Sequence, residues 1–560
     1  MGGPAQVEAA LRPPEVALSL DRMGSAHATR LSFLRVLLRI AARDGWRFSR
    51  PIFDIDAQGV GTAVYRVETA AHAYSLVCFG HDLPAEKRTD RVIAEAWDAT
   101  FALYDGVPAD ADIARLARNV PRQEAGRYLA SELVLARANR SVRLFDHLVD
   151  ALAEGAQPDA ERIEATGYLM RTTAVYGNGK FGIADLGRLW SRPDMAAPFR
   201  AEMLTVYLIR AFTVDLAEHM ARMRAPGRAV ALAPALRRRL GVGNATGLGM
   251  APFLVRHQLL LHRWVSARET ALARVRSLPR SDAATRSCFL AALDGARRQV
   301  AHWSTDDPVQ APRTAELARD LARLDRLVRS EAILLGPYPW EALYRWAERE
   351  LALEAQELAV SLLLEPHGVL IDDLAAEMSA DEASAFEIDG AQRCGDLLED
   401  IGRCYAWALG EDFARAEATA LFWYVSAEKL EPRLGLRLSE PGAELEQPLA
   451  AARDVALLRA ALQAEPRERA VGAFLLASPQ YRHTVRRVQV SARHPYAEIR
   501  ANLIAAGLRP IDILRYKLAF FGATRFDPRS DKWLRITLYQ GAPFPHELAD
   551  RGAEAWGWGA

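Results

Sequence analysis

Cysteine is scarce in this 560-residue chain: there are four, Cys78, Cys288, Cys394 and Cys404, and no C-x-x-C pair among them. A disulfide framework or a zinc ribbon needs cysteines paired at short spacing, so neither is indicated and a reducing compartment is expected. Net charge is missing too. Lys plus Arg and Asp plus Glu each total 71, which leaves no overall field to attract DNA or an anionic membrane, and nucleic acid is not an expected partner. No apolar run reaches the length of a membrane span without charges. The first 20 residues hold acids and prolines where a secretory signal would hold a basic start and an apolar core. A cytoplasmic protein with no membrane partner is the expectation. Metal motifs are also lacking: His257 and His262 stand five apart, not the four that stack on one helix face, and there is no HExxH.

What is present is the composition of a globular protein, half apolar and a quarter charged, at a length that favours several structural units. The weight of Ala and Arg fits a GC-rich bacterial coding sequence. Residues 46–104 hold the sustained strand-like texture, with β-branched and aromatic runs at Trp46–Ser49, Ile52–Asp56, Thr62–Val67 and Ala73–Phe79 separated by turn signals. Val92–Tyr104 reads equally as strand or helix. Beyond residue 110, 3.6-residue periodicity predicts helices near 122–138, 141–154, 159–175, 198–223, 252–278, 282–303, 312–334, 339–364, 391–409, 413–429 and 447–463. Near the C-terminus, Thr484–Val490 and Trp533–Tyr539 read as strands around helices near 496–506 and 510–521. The expected fold class is therefore mainly α: a multi-helix assembly with a small antiparallel β-sheet near the N-terminus and a mixed α/β C-terminal tail. Its expected units are a loose arm over 1–28, a small α+β domain over 29–106, helical domains over 111–305 and 311–475, and the tail over 476–560.

Two glycine-rich segments carry the chemistry. In Arg171-Thr-Thr-Ala-Val-Tyr176-Gly177-Asn178-Gly179-Lys180-Phe-Gly182, backbone amides and Lys180 can hold an anion while Tyr176 or Asn178 orients it; the bland alternative is a helix terminated by left-handed glycines. The second segment, Gly241-Val-Gly-Asn244-Ala-Thr246-Gly-Leu-Gly-Met-Ala-Pro252, places amides before a predicted helix N-terminus, with Asn244 and Thr246 as candidate binding side chains. A plain connector between helices is the alternative there. Arg137, Arg140 and Arg143 stand three apart and can converge on a carboxylate or phosphate, or pair with Glu132 and Asp146 on a solvated face. Adjacent Glu428 and Lys429, after the aromatic stretch Phe422-Trp-Tyr, can move protons if buried. Arg493-His494-Pro-Tyr496, Arg515-Tyr-Lys517 and Arg525-Phe-Asp-Pro-Arg529 interleave cations with aromatics, which can grip an RNA strand or an acidic partner; the preferred alternative is a subunit interface, as in a homodimer.

Lys180-Phe-Gly-Ile-Ala-Asp185-Leu-Gly resembles the magnesium-binding context of protein kinases, and Gly59-Val-Gly61-Thr-Ala-Val-Tyr65 resembles their nucleotide-covering loop. That resemblance implies a nucleotide-binding phosphotransferase with Gly59–Gly61 and Asp185 facing one cleft. It covers only these segments, because strand 73–79 has no lysine for ATP phosphates and no His-Arg-Asp loop precedes Asp185. Gly247-Leu-Gly-Met-Ala-Pro252 is similar, at the level of a long helical chain, to the aspartase and fumarase enzymes, whose other signatures are missing.

The expected function is an enzyme acting on an anionic small metabolite, with Lys180 and the 177–182 amides binding or polarising the anion, and Tyr176 or the Glu428/Lys429 pair moving protons. Arg171, Gly177, Asn178, Gly179, Gly182, Asn244, Thr246, Arg137 and Arg140 are the expected binding residues; no metal is called for and no organic cofactor is specified. The alternatives are a non-enzymatic helical scaffold, with aromatic helices 338–350 and 420–426 as its partner surface, and the kinase-like reading.

Overall fold

In the computed structural model, residues 9–88, 96–120, 129–172, 192–247, 254, 257–330, 332–379, 386–413, 420–423, 432–434, 448–501, 510–528, 533–548 and 556–558 are described. The strand-like texture folds as read in β1 (Arg47–Ile55), β2 (Gly61–Glu68) and β3 (Ala73–Gly80), and the stretch left open between strand and helix supplies β4 (Ala99–Asp105); the four form an antiparallel meander. The sheet continues past it through β5 (Glu132–Arg140), β6 (Tyr168–Thr172) and β7 (Gly241–Gly247). β8 (Ala420–Trp423) and β9 (Pro432–Leu434) pair with each other, and β10 (Arg525–Pro528) and β11 (Trp533–Leu538) return to the main sheet. The order is β1-β2-β3-β4-β5-β6-β7-β11-β10. Neighbours are antiparallel except β6 and β7, which run parallel.

Among the described residues helix predominates over strand, yet the expected fold class is corrected: the sheet has nine strands and is mixed, and the strands of the C-terminal tail belong to it. The physical reason lies in β5 and β7. β5 is apolar on both faces, with Val134, Ala136 and Ala138 in the main core and Leu135 in the layer behind, and a run buried on both sides shows no period of two. β7 has three glycines among its seven residues, a composition that predicts a loop, and it is strand because its neighbours demand small residues. A Cβ on Gly243 would sit 2.6 Å from the Tyr168 ring, and one on Gly241 would sit 2.3 Å from the Leu538 carbonyl oxygen. The helices expected over 122–138 and 159–175 are displaced accordingly: β5 takes the end of the first, and the second is cut at Gly167, φ +76°, into helix Ala160–Thr166 and β6. The reverse error is at Thr484–Val490, which is part of helix Arg482–Arg493; Val485 and Val488, three apart, face one core.

Helix Arg200–Arg224, expected at 198–223, lies against the sheet and is buried on almost every side, as a central helix must be. Its Arg210 donates to the carbonyls of Leu240 (2.6 Å) and Ala542 (2.8 Å), fastening the start of β7 to the C-terminal segment. Helix Asp110–Asn119 covers the opposite face of β2–β5 through Leu116, with Val120 just beyond its end. Helices Gln258–Arg276, Ala283–Ala301, Pro339–Glu350 and Leu353–Leu364 extend the main core around Trp264 and Trp340. Helices Cys394–Tyr405, Pro448–Gln463 and Arg482–Arg493 enclose a second core. Among the described residues no helix is long and apolar enough to cross a membrane.

The stretch before residue 29, expected as a loose arm, is packed from residue 9 onward. Arg12 reaches into the main core, where its guanidinium donates twice to Glu269 (2.7 and 2.8 Å) and once to Glu357 (2.5 Å). Arg22 donates to the same Glu357 oxygen at 2.9 Å, and Arg268 bonds both carboxylates. Burial pushes the Glu357 carboxyl up, but Arg12, Arg268 and Arg22 outweigh it and hold the group below the usual carboxylate range.

Candidate functional site

The parallel pair in an otherwise antiparallel sheet sets the geometry. β6 ends at Thr172 and β7 at Gly247, and because the two strands point the same way, the glycine-rich segments that follow them leave the same end of the sheet. Tyr176, Gly177, Asn178, Gly179, Lys180 and Gly182 lie outside the described residues, as do Asp185 and residues 248–253. Their attachment points stand on adjacent strands.

Register places the flanking arginines. Asn139 on β5 pairs with Arg171 on β6, and Arg171 pairs with Gly243 on β7. Directly opposed residues share a face, and so do residues two apart on one strand, so Arg137, Asn139 and Arg171 lie on one face. Across β7, Ala245 pairs with Arg535 of β11, which brings a third arginine to that face. Between them β7 offers Gly243, Ala245 and Gly247. The result is a strand of small residues flanked by guanidinium groups on both sides, with the Tyr168 ring lying against Gly243.

Arg171 is buried, and Arg137 is half-buried with its guanidinium 5.4 Å from the Trp97 ring. Burial lowers the Arg137 pKa from its ordinary value. The Asn139 carboxamide is committed: its Oδ1 accepts the Asp98 N–H at 2.8 Å and its Nδ2 donates to the Ala96 carbonyl at 3.0 Å. Asp98, itself buried, accepts from Arg88 Nε (2.8 Å) and the Arg140 N–H (2.9 Å). These bonds fix the junction of β4 and β5 beside the arginines. His81, whose pKa is lowered by burial against the opposing pull of Asp98, bonds Thr100 Oγ at 2.8 Å on the same junction.

Convergence of Arg137, Arg140 and Arg143 on one anion is corrected. That expectation assumed helical spacing, but in β5 Arg137 and Arg140, three apart, point to opposite faces, and Arg143 lies beyond the strand's end. Arg140 crosses to the other side, where it donates to the Gln58 carbonyl at 3.0 Å and packs 4.8 Å from the Phe145 ring; Arg143 bonds the Tyr168 hydroxyl. Asn244 is buried opposite Ile536, and Thr246 is opposite Leu534. Asn244 lies one residue out of step with Gly243, hence on the core face. Glu428 and Lys429 lie outside the described residues, between β8 and β9, which are not part of the main sheet.

Of the basic, aromatic C-terminal stretch, Tyr496, Arg515, Lys517 and Arg525 are buried, Arg493 is exposed, and Arg529 lies outside the described residues. Trp340 and Tyr344 of helix Pro339–Glu350 are buried in the core, and Trp346 is partly buried against it. The Gly59–Gly61 turn between β1 and β2 holds its own anion, since the Gln58 and Val60 N–H groups both donate to Asp56 Oδ1 at 2.9 Å, the donors that a nucleotide-covering loop would need. Asn139 and Arg535 were missed in the sequence; the two-residue spacing of Arg137 and Asn139 was the available signal. Compared with known proteins, the chain matches no family model, no curated protein and no solved structure.

Proposed function

We propose that the chain is an enzyme acting on a small anionic metabolite, a carboxylate or phosphate, held at the carboxyl ends of β6 and β7. The supporting observation is the parallel pairing of these two strands. In sheets with parallel strands, ligands settle outside the carboxyl ends where the topology switches, and here both glycine-rich segments leave from that place beside Arg137, Arg171 and Arg535. Guanidinium forks match carboxylate and phosphate oxygens in pairs. Lys180 and the 177–182 amides would complete the anion's surroundings, with Tyr176 orienting it or moving its proton.

Thermal unfolding of the parent, measured with a panel of phosphorylated and carboxylated metabolites, tests this. A ligand at a hundredfold excess over its Kd stabilises by about 2.7 kcal/mol. The Arg171→Lys and Lys180→Ala variants are each expected to weaken that ligand about tenfold or more, because a charged hydrogen bond contributes about 1.5–3 kcal/mol. A parent that responds to none of the panel, or variants that bind as the parent does, would sink the proposal.

A further inference from the structure

The turn between β2 and β3 carries reactive groups that the anion site does not use. His72 Nε2 lies 2.7 Å from Asp105 Oδ1, at the carboxyl end of β4, and Tyr74 stands directly opposite Asp105 in the pairing of β3 with β4. Arg192 takes the same carboxylate from the other side, with Nε on Oδ1 at 3.1 Å and Nη2 on Oδ2 at 3.2 Å. Register keeps this cluster apart from β6. Thr172 is level with Ala99 through Ala138, and the six residues from Ala99 to Asp105 span about 20 Å along the strand. The cluster is separate from the site proposed above, and neither depends on the other.

These bonds decide what each group can still do. A carboxylate accepts and does not donate, so the proton of the neutral imidazole sits on Nε2 and Nδ1 keeps its lone pair. Nδ1 is neither bonded among the described residues nor buried, and the His72 side chain is 27 % exposed. The Tyr74 ring meets the imidazole edge-on, its centroid 5.0 Å away, and restrains the ring plane. A histidine oriented by a carboxylate, with its other nitrogen open, has the form of a general base.

Two donors accompany the base. Arg192 Nη1 is neither bonded among the described residues nor buried, and because Arg192 Nε and His72 Nε2 share Asp105 Oδ1, this guanidinium and the imidazole are neighbours. The Tyr74 hydroxyl is buried without a partner, which is costly until a polar atom reaches it. Charge selects the substrate class. Asp194 accepts from Thr69 Oγ1 at 2.5 Å and lies in the field of Arg200, as Asp105 lies in that of Arg192. Two carboxylates against two guanidinium groups leave a site suited to an uncharged substrate.

We propose that His72 is the general base of a hydrolytic site for neutral carboxylic esters, with Asp105 as its positioning residue and Arg192 as donor to the ester carbonyl. His72 Nδ1 takes a proton from water as the water oxygen bonds to the carbonyl carbon, and the carbonyl electron pair moves to the oxygen facing Arg192. When that pair returns, the bond to the alcohol oxygen breaks and the proton passes from Nδ1 to the departing oxygen. Acid and alcohol are the products, and water is the co-reactant.

Hydrolysis of p-nitrophenyl acetate by the full chain, beside p-nitrophenyl phosphate and an equal concentration of free imidazole, provides the test. The acetate is expected to react at least about a hundredfold faster with the protein than with imidazole. His72→Gln, in a half-exposed turn, is expected to unfold thermally as the parent does and to lose about tenfold or more of the rate. Asp105→Asn is expected to lower kcat with KM unchanged, and it decides the matter if the His72 variant does not fold. A protein no faster than imidazole overturns the proposal. So does a folded His72→Gln or Asp105→Asn protein with the parent's kcat, or faster cleavage of the phosphate than of the acetate.

Discussion

Replacing Glu357 by glutamine is expected to cost about 3–5 kcal/mol of stability, the range found when one partner of a buried ion pair is removed and the other charges stay behind. Glu357 is 1 % exposed and accepts from Arg12, Arg22 and Arg268. Glutamine keeps the shape and loses the charge, so three guanidinium groups would be left with Glu269 as the remaining carboxylate of the cluster. Two of them, Arg12 and Arg268, are buried as well. The loss also reaches the N-terminal stretch, because Arg12 and Arg22 are among the groups that tie residues 9–31 to helices Gln258–Arg276 and Leu353–Leu364. Urea unfolding of Glu357→Gln beside the parent measures the loss, and limited proteolysis should show earlier cleavage within residues 9–31 of the variant. A difference below about 1 kcal/mol would mean that the cluster contributes no more than surface pairs do.

Acidification from pH 6.5 to 4 is expected to remove several kcal/mol more, well before carboxylate protonation reaches Glu357. Burial lowers His367 to about 4, with Arg30 adding to it against Asp282, and lowers His262 to about 4, with His494 and Arg263 adding to it. His27, fully buried between Trp303, Phe526 and Trp558, is lowered well below its ordinary value by burial and by Arg515. In the unfolded chain each of these takes up a proton near pH 6.5, whereas the folded chain refuses it. Below pH 6.5 the unfolded state therefore binds more protons, and stability falls as pH falls, by up to about 1.4 kcal/mol per pH unit for each histidine. For His262 and His367 the fall ends near pH 4, where the folded state protonates as well. Partial exposure of His262 reduces its share, and a combined loss on the order of 5 kcal/mol is expected. Urea midpoints measured at intervals from pH 7 to 4 give the slope. A His367→Gln variant should show a shallower slope than the parent, and an unchanged slope would remove His367 from the account.

Much of the fold was legible because local pattern and tertiary demand agree. β1, β2 and β3 alternate between a core face and a second face and are separated by turn residues, and helix Arg200–Arg224 is long enough to declare itself although it is buried nearly all round. Legibility failed where a neighbour set the conformation. Nothing local to Gly241–Gly247 asks for a strand; the Tyr168 ring and the Leu538 carbonyl ask for residues with no side chain. The arginines show the same division. Their identity and closeness in sequence suggested an anion, but which of them share a face depends on whether the period is 3.6 or 2, and that was decided by the pairing of β5 with β4 and β6.

The sequence by itself determined the meander, the long helices, the scarcity of paired cysteines and the two glycine-rich segments, all of which follow from composition and short-range spacing. Tertiary structure alone decided that β6 and β7 lie side by side and parallel, although about 70 residues of chain separate them. It also decided that Arg12 meets Glu269 and Glu357, and that β10 and β11 close the far edge of the sheet. These contacts join residues hundreds of positions apart, and their free energy comes from burial and charge pairing between segments that carry no mark of one another.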